Sequence, residues 1–165
     1  MDGWRVPSTT LFPTGPPQLN HVALSLRPEL LSGEGRRDIA RFFRKVFGWR
    51  PIVMKSVDPG YLVLSTNRAD QFIFLCPQPA PMVAHRMDHF GVSVGTLDEL
   101  HGVRDRAASY REGDPRVELI DPTVEDHAAL RIHNIYVGYL LPLMIEVQYW
   151  EFPQPDAVRG EDLHA

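Results

Sequence analysis

The sequence predicts an α+β chain of two βαβββ modules that form a cupped mixed β-sheet. Three observations predict it. Residues 19–26 read LNHVALSL and residues 87–94 read MDHFGVSV, so one eight-residue pattern recurs at an offset of 68. Position by position the chemistry is alike: apolar, Asn or Asp, His, apolar, small, apolar, Ser, apolar. A helix-like stretch follows each copy, and three strand-like runs follow each helix. Recurrence of a whole unit is the mark of a modular architecture.

The elements follow in order. Residues 1–18 hold Pro7, Pro13, Pro16 and Pro17 with little periodicity and read as an irregular arm. The first module covers 19–76. Its opening strand is followed by a charged linker and a helix over Gly35–Phe47, where Ile39, Phe42, Phe43, Val46 and Phe47 share one face. Strand-like runs then span Trp49–Val57, Tyr61–Thr66 and Gln71–Cys76. Pro77, Pro79 and Pro81 mark an extended connector over 77–86, because proline lacks an N–H and restricts the residue before it.

The second module covers 87–152. Its helix, Thr96–Arg111, opens with a capping box of Thr96 and Glu99, and Leu97, Leu100, Val103, Ala107 and Tyr110 form its apolar stripe. Three runs follow: Arg116–Ile120, Leu130–Tyr139 and Leu143–Phe152. Residues 153–165 read as a polar tail. Met82 and Met87, beside the connector, read as gap-fillers.

Composition narrows the function classes. The 165 residues are 44% hydrophobic and 23% charged, which is globular rather than disordered. A formal charge of -4 gives no chain-wide basic footprint, so a nucleic-acid partner is not expected. The single cysteine, Cys76, excludes an internal disulfide framework and a CxxC zinc site. No apolar run approaches a bilayer span, and the start lacks a basic segment followed by an apolar block. The expected protein therefore meets no membrane, and its expected compartment is the cytoplasm.

Alternation assigns faces. His21, Ala23 and Ser25 share one face of the first strand, opposite Val22, Leu24 and Leu26. His89, Gly91 and Ser93 likewise oppose Phe90, Val92 and Val94. In the last strand Met144, Glu146, Gln148 and Trp150 oppose Ile145, Val147 and Tyr149. A carboxylate inside such a strand needs a reason, since burying it unpaired is costly. A lone strand histidine is usually only a satisfied polar residue. Two at equivalent places in a repeat, with a strand Glu, make His21, His89 and Glu146 a candidate facial triad for Fe(II), Mn(II) or a similar divalent ion.

These residues carry a resemblance. The paired modules, the first-strand histidines, ARFFRKVFGW (40–49) and DHFGVSVGTLDELHGVRDR (88–106) resemble the vicinal oxygen chelate superfamily. That superfamily includes glyoxalase I, bleomycin-resistance proteins, fosfomycin-resistance enzymes and type I extradiol dioxygenases. By the resemblance His21, His89 and Glu146 are the metal ligands, with Asp70 as an alternative fourth one or simply a turn aspartate. The C-terminal part is similar to type I extradiol dioxygenases: His127, the pair Ile135-Tyr136, Pro142 and Glu146 fall in that family's order.

The resemblance implies an Fe(II)-dependent oxidoreductase acting on a small aromatic diol. In it Tyr136 hydrogen-bonds a substrate oxygen and His127 positions or relays a proton. The family's fourth-strand acid/base histidine has no counterpart, and Gln71 is the nearest residue. A glutamine does not exchange protons near neutrality. The alternatives are a metal-dependent isomerase, lyase or transferase, and a metal-free protein that binds a small hydrophobic molecule. Relatives often form homodimers, some by exchanging modules, so His21 and Glu146 could meet their partners across chains.

Overall fold

The computed structural model describes residues 16–53, 57–68 and 70–152. The expected arm and tail lie mostly or wholly outside them. The first unit consists of β1 (His21–Leu26), α1 (Gly33–Val46), β2 (Arg50–Ile52), β3 (Leu62–Ser65) and β4 (Phe72–Pro77). The second consists of β5 (His89–Ser93), α2 (Leu97–Gly113), β6 (Glu118–His127), β7 (Leu130–Gly138) and β8 (Met144–Glu151).

Each unit folds its strands into a four-stranded mixed sheet, ordered β1-β4-β3-β2 and β5-β8-β7-β6. β1 runs parallel to β4 and β5 parallel to β8, while the remaining pairs are antiparallel. The two opening strands are therefore both outer strands, each hydrogen-bonded on one side only. The expected α+β fold of two βαβββ units is present. Among the described residues no helix is long and apolar enough to cross a membrane.

Local chemistry explains the ends of the helices. A 3-10 turn at Pro28–Leu31 replaces the expected charged linker, and α1 starts at Gly33 rather than Gly35. The turn lies so close to α1 that a Cβ on Gly35 would sit 2.8 Å from the Glu29 carbonyl oxygen, so only glycine fits there. At the other end Gly48 takes φ 76° and lets the Trp49 N–H reach the Phe43 carbonyl at 3.1 Å. The capping box of α2 forms as read: Thr96 Oγ1 accepts from the Glu99 N–H at 3.1 Å, and the Glu99 carboxylate accepts from the Thr96 N–H at 3.2 Å.

One core joins the units. Leu24, Leu64 and Leu75 share one buried cluster with Ile39, Phe42 and Phe43 of α1 and with Ile135, Val137, Val147, Leu100 and Ala107 of the second unit. Phe42 stacks on Tyr139 with ring centroids 4.1 Å apart. Arg116 bridges the units, donating to Asp38 at 2.7 Å and to Asp114 at 2.6 Å, and Tyr139 donates to Asp114 at 2.7 Å. Arg106 of α2 donates to the Val46 carbonyl that ends α1.

Two expectations fail. Residues 121–127 continue β6 beyond the expected end of its strand-like run at Ile120, and their side chains are exposed on both faces. Met82 and Met87 are exposed rather than filling gaps, because the connector runs over the surface. There the Met82 N–H is held by the Ser25 hydroxyl at 2.7 Å.

Candidate metal centre

The open face of the second sheet carries most of the ionisable chemistry. Register places Gly91 and Tyr136 on either side of Glu146, and Asn134 across from Gln148. Glu146 is only 6% exposed. Its Oε1 accepts from the Tyr136 hydroxyl at 2.7 Å and from Asn134 Nδ2 at 3.2 Å, and its Oε2 accepts from Gln148 Nε2 at 2.9 Å. All three donors are neutral. The one partner able to carry positive charge is His89, whose Nε2 stands 3.3 Å from Oε2.

That contact has a specific chemistry. His89 Nδ1 lies 2.8 Å from the Met87 carbonyl oxygen. A carbonyl only accepts, so Nδ1 carries the hydrogen, and in a neutral ring Nε2 presents a lone pair to the carboxylate. Lone pair facing carboxylate calls for a proton or another cation between them. A histidine whose remote nitrogen is tied to a backbone carbonyl is also the usual outer arrangement of a metal ligand. Two donors of the kind a divalent ion takes, His89 and Glu146, therefore face each other at this edge of the sheet.

Tyr136 is shaped by the same carboxylate. Its hydrogen bond to Glu146, then burial, then the charges of Glu146 and Glu125 push the phenol up to about 12. The ring also meets His89 edge-on, with centroids 5.2 Å apart. Tyr136 thus remains a hydroxyl donor throughout the neutral range.

The other candidates are more scattered. His21 sits on the first sheet, its Nδ1 2.8 Å from Asn20 Oδ1 and its ring stacked on Phe72 at 5.0 Å. Within one chain, no three His, Cys, Asp or Glu side chains among the described residues are gathered closely enough to hold an ion. β1 and β5 belong to separate sheets. His127 lies at the far end of β6, 3.6 Å from Glu125 and exposed. Asp70 is gripped by Arg68 through two bonds of 3.0 and 3.1 Å, the arrangement of a turn aspartate.

The first sheet contributes apolar surface. Phe72 and Phe74 lie opposite His21 and Ala23 in register, and Tyr61 stacks on Phe74 at 5.3 Å. A cleft of about 690 Å³ opens beside His21 and Phe72 and reaches the Gly91–Gly95 edge of β5. Sequence reading missed the roles of Asn134 and Gln148 beside Glu146. Neutral amides carry no chemical signal until register places them beside a carboxylate.

Comparison with known proteins bears on the fold. Neither a family model nor a curated protein sequence matches the chain. Solved structures do. A glyoxalase/bleomycin resistance protein from Albidiferax ferrireducens T118 aligns with a TM-score of 0.54 at 10% identity, over 79% of this chain and 97% of that one. The fold is that of the vicinal oxygen chelate proteins. A glyoxalase/bleomycin resistance protein/dioxygenase from Nocardioides aligns with a TM-score of 0.54 at 13% identity, over 86% of this chain and 91% of that one. FosX from Listeria monocytogenes, a fosfomycin resistance protein solved with Mn(II) and sulfate, gives a TM-score of 0.53 at 13% identity, over 89% of this chain and 98% of that one. At these identities the vicinal oxygen chelate likeness concerns the fold.

Proposed function

We propose that the protein is a divalent-metal enzyme of the extradiol-dioxygenase type, acting on a small aromatic diol. The observation that carries this reading is the His89–Glu146 pair, with Nε2 and Oε2 facing each other at 3.3 Å and Tyr136 fixed on the opposite carboxylate oxygen. Fe(II) is the ion proposed, with Mn(II) as the alternative that the FosX structure supports by analogy. A bound ion of this kind would polarise two adjacent substrate oxygens and lower the pKa of a hydroxyl.

His89 and Glu146 would hold the ion from the second sheet, and His21 would be the third ligand. Since one chain does not bring His21 to that pair, a second copy supplies it. β1 and β5 each leave one edge unpaired. Joining β1 of one copy to β5 of another about a twofold axis closes both edges and creates two equivalent composite cups. Each cup then combines the aromatic floor of one copy with the charged face of the other. Phe72, Phe74 and Tyr61 would receive the substrate ring. Tyr136, whose one hydrogen goes to Glu146, would accept from a substrate hydroxyl through its oxygen, while His127 stands at the far end of β6, away from the pair.

One observation favours a second reading. Gln71 lies just before β4, where an acid/base histidine would serve ring cleavage, and it cannot exchange a proton near neutrality. A metal-dependent isomerase, lyase or transferase needs no such histidine on that strand.

Complementation tests the composite site. His21→Ala and His89→Ala chains are purified separately and after co-expression, all anaerobically, and their metal content is measured. Each variant alone should hold almost no iron or manganese, whereas each mixed dimer regains one intact site. Failure of the mixture to recover metal would count against the shared site, and a wild-type protein without metal would leave the hydrophobic-ligand binder as the reading. An Fe(II)-dependent yellow product from catechol separates the dioxygenase from the isomerase, lyase and transferase reading.

A further inference from the structure

Asn134 is buried more deeply than any other polar residue of the second sheet's open face, at 1% exposure. A buried amide is costly unless its bonds are made, and here they are. Nδ2 donates to Glu125 Oε1 at 3.0 Å and to Glu146 Oε1 at 3.2 Å. Oδ1 accepts from the Thr123 hydroxyl. The amide orientation follows from chemistry, since both carboxylates only accept and the NH₂ group must face them.

The consequence falls on Glu146. Each carboxylate oxygen offers two lone pairs. Both lone pairs of Oε1 are engaged, one by Asn134 and one by Tyr136. Oε2 engages only Gln148 and directs the rest of its accepting capacity at His89. We infer that Asn134 is a positioning residue: with Tyr136 it saturates Oε1, so that Glu146 offers a cation only Oε2. Glu125 and Thr123 clamp the amide from its far side and prevent it from rotating away. This inference rests on the metal-binding reading above, and goes beyond it by assigning which oxygen serves and what enforces the choice.

The test uses Mn(II) calorimetry and the visible spectrum of Co(II)-loaded protein, on wild type, Asn134→Leu and Glu125→Ala. Asn134→Leu preserves the approximate shape and removes the donor. It should weaken Mn(II) binding roughly 10- to 100-fold, the range found for outer partners of metal ligands. It should also change the Co(II) bands, because Oε1 becomes free to coordinate. Glu125→Ala, at an exposed position, should give the same spectral change with a smaller loss of affinity.

Unchanged affinity and spectrum in folded Asn134→Leu overturn the inference. Weaker binding with an unchanged spectrum also overturns it, since a purely structural role would do that. If Asn134→Leu does not fold, the Glu125→Ala spectrum decides. A wild-type protein that binds neither ion removes the metal-binding reading itself, and this inference with it.

Discussion

Gly91 lies directly across from Glu146 in the parallel pairing of β5 with β8, so no side chain from this position stands over Oε2. A Cβ at this position would meet Oε2 at 3.8 Å, which is ordinary contact. Alanine should therefore be accepted, with a stability change within about 0.5 kcal/mol, as for surface changes generally. Gly91→Leu should fill the hollow. It is expected to leave the melting temperature close to that of wild type and to abolish Mn(II) binding. Calorimetry and thermal melts on the two variants check both halves of the prediction.

Tyr136 supplies a pH prediction for the metal-free protein. Its phenol is pushed up to about 12 by the bond to Glu146, whereas an unfolded tyrosine ionises near 10. The native state thus holds this proton more tightly than the unfolded chain does. The resulting stabilisation is complete below about pH 10 and is lost as pH rises through about 12. Ultraviolet difference titration should show two late-ionising tyrosines, Tyr136 and the buried Tyr139, and Glu146→Gln should bring only the Tyr136 ionisation back towards the ordinary range.

Acid should act on a different place. Arg116 and the Tyr139 hydroxyl hold the Asp114 carboxyl well below the usual carboxylate range. A depressed native value means stabilisation that is complete above the unfolded pKa, about 3.9, and lost as pH falls further. Asp114→Asn should lower stability at pH 7 by roughly 1–3 kcal/mol, the cost of losing hydrogen bonds to a charged group. The gap between variant and wild type should close as denaturation is followed into stronger acid.

The junction between the units is most exposed to loss at Phe42. Its ring stacks on Tyr139 and meets Phe43 and Tyr110 edge-on. Phe42→Ala should cost about 3–5 kcal/mol, as for other aromatic truncations in cores. Chemical denaturation is the measurement. Separate transitions for the two halves in this variant would show that the ring couples them.

Period and repetition made much of this fold legible. Leu24 and Leu26 alternate with less buried neighbours because one face of β1 is buried, and the capping box of α2 is a strictly local motif. The far half of β6 escaped because both of its faces are wet, and without a dry side there is no alternation to read. Glu146 announced itself as a carboxylate among apolar neighbours. Asn134 and Gln148 did not, because their meaning depends on which residue stands opposite. The separation of His21 from His89 was equally hidden. Local sequence describes each sheet, whereas the placement of one sheet against another depends on the helix packing around Phe42 and Tyr139.

The division of labour between the sheets has an evolutionary consequence. Aromatic side chains gather on the first sheet, at Tyr61, Phe72 and Phe74, and ionisable ones on the second. Substitutions in residues 61–74 can reshape which molecules are admitted while the groups that handle charge stay untouched. Under the proposed function, selectivity and reactivity would thereby be free to drift at different rates along one chain.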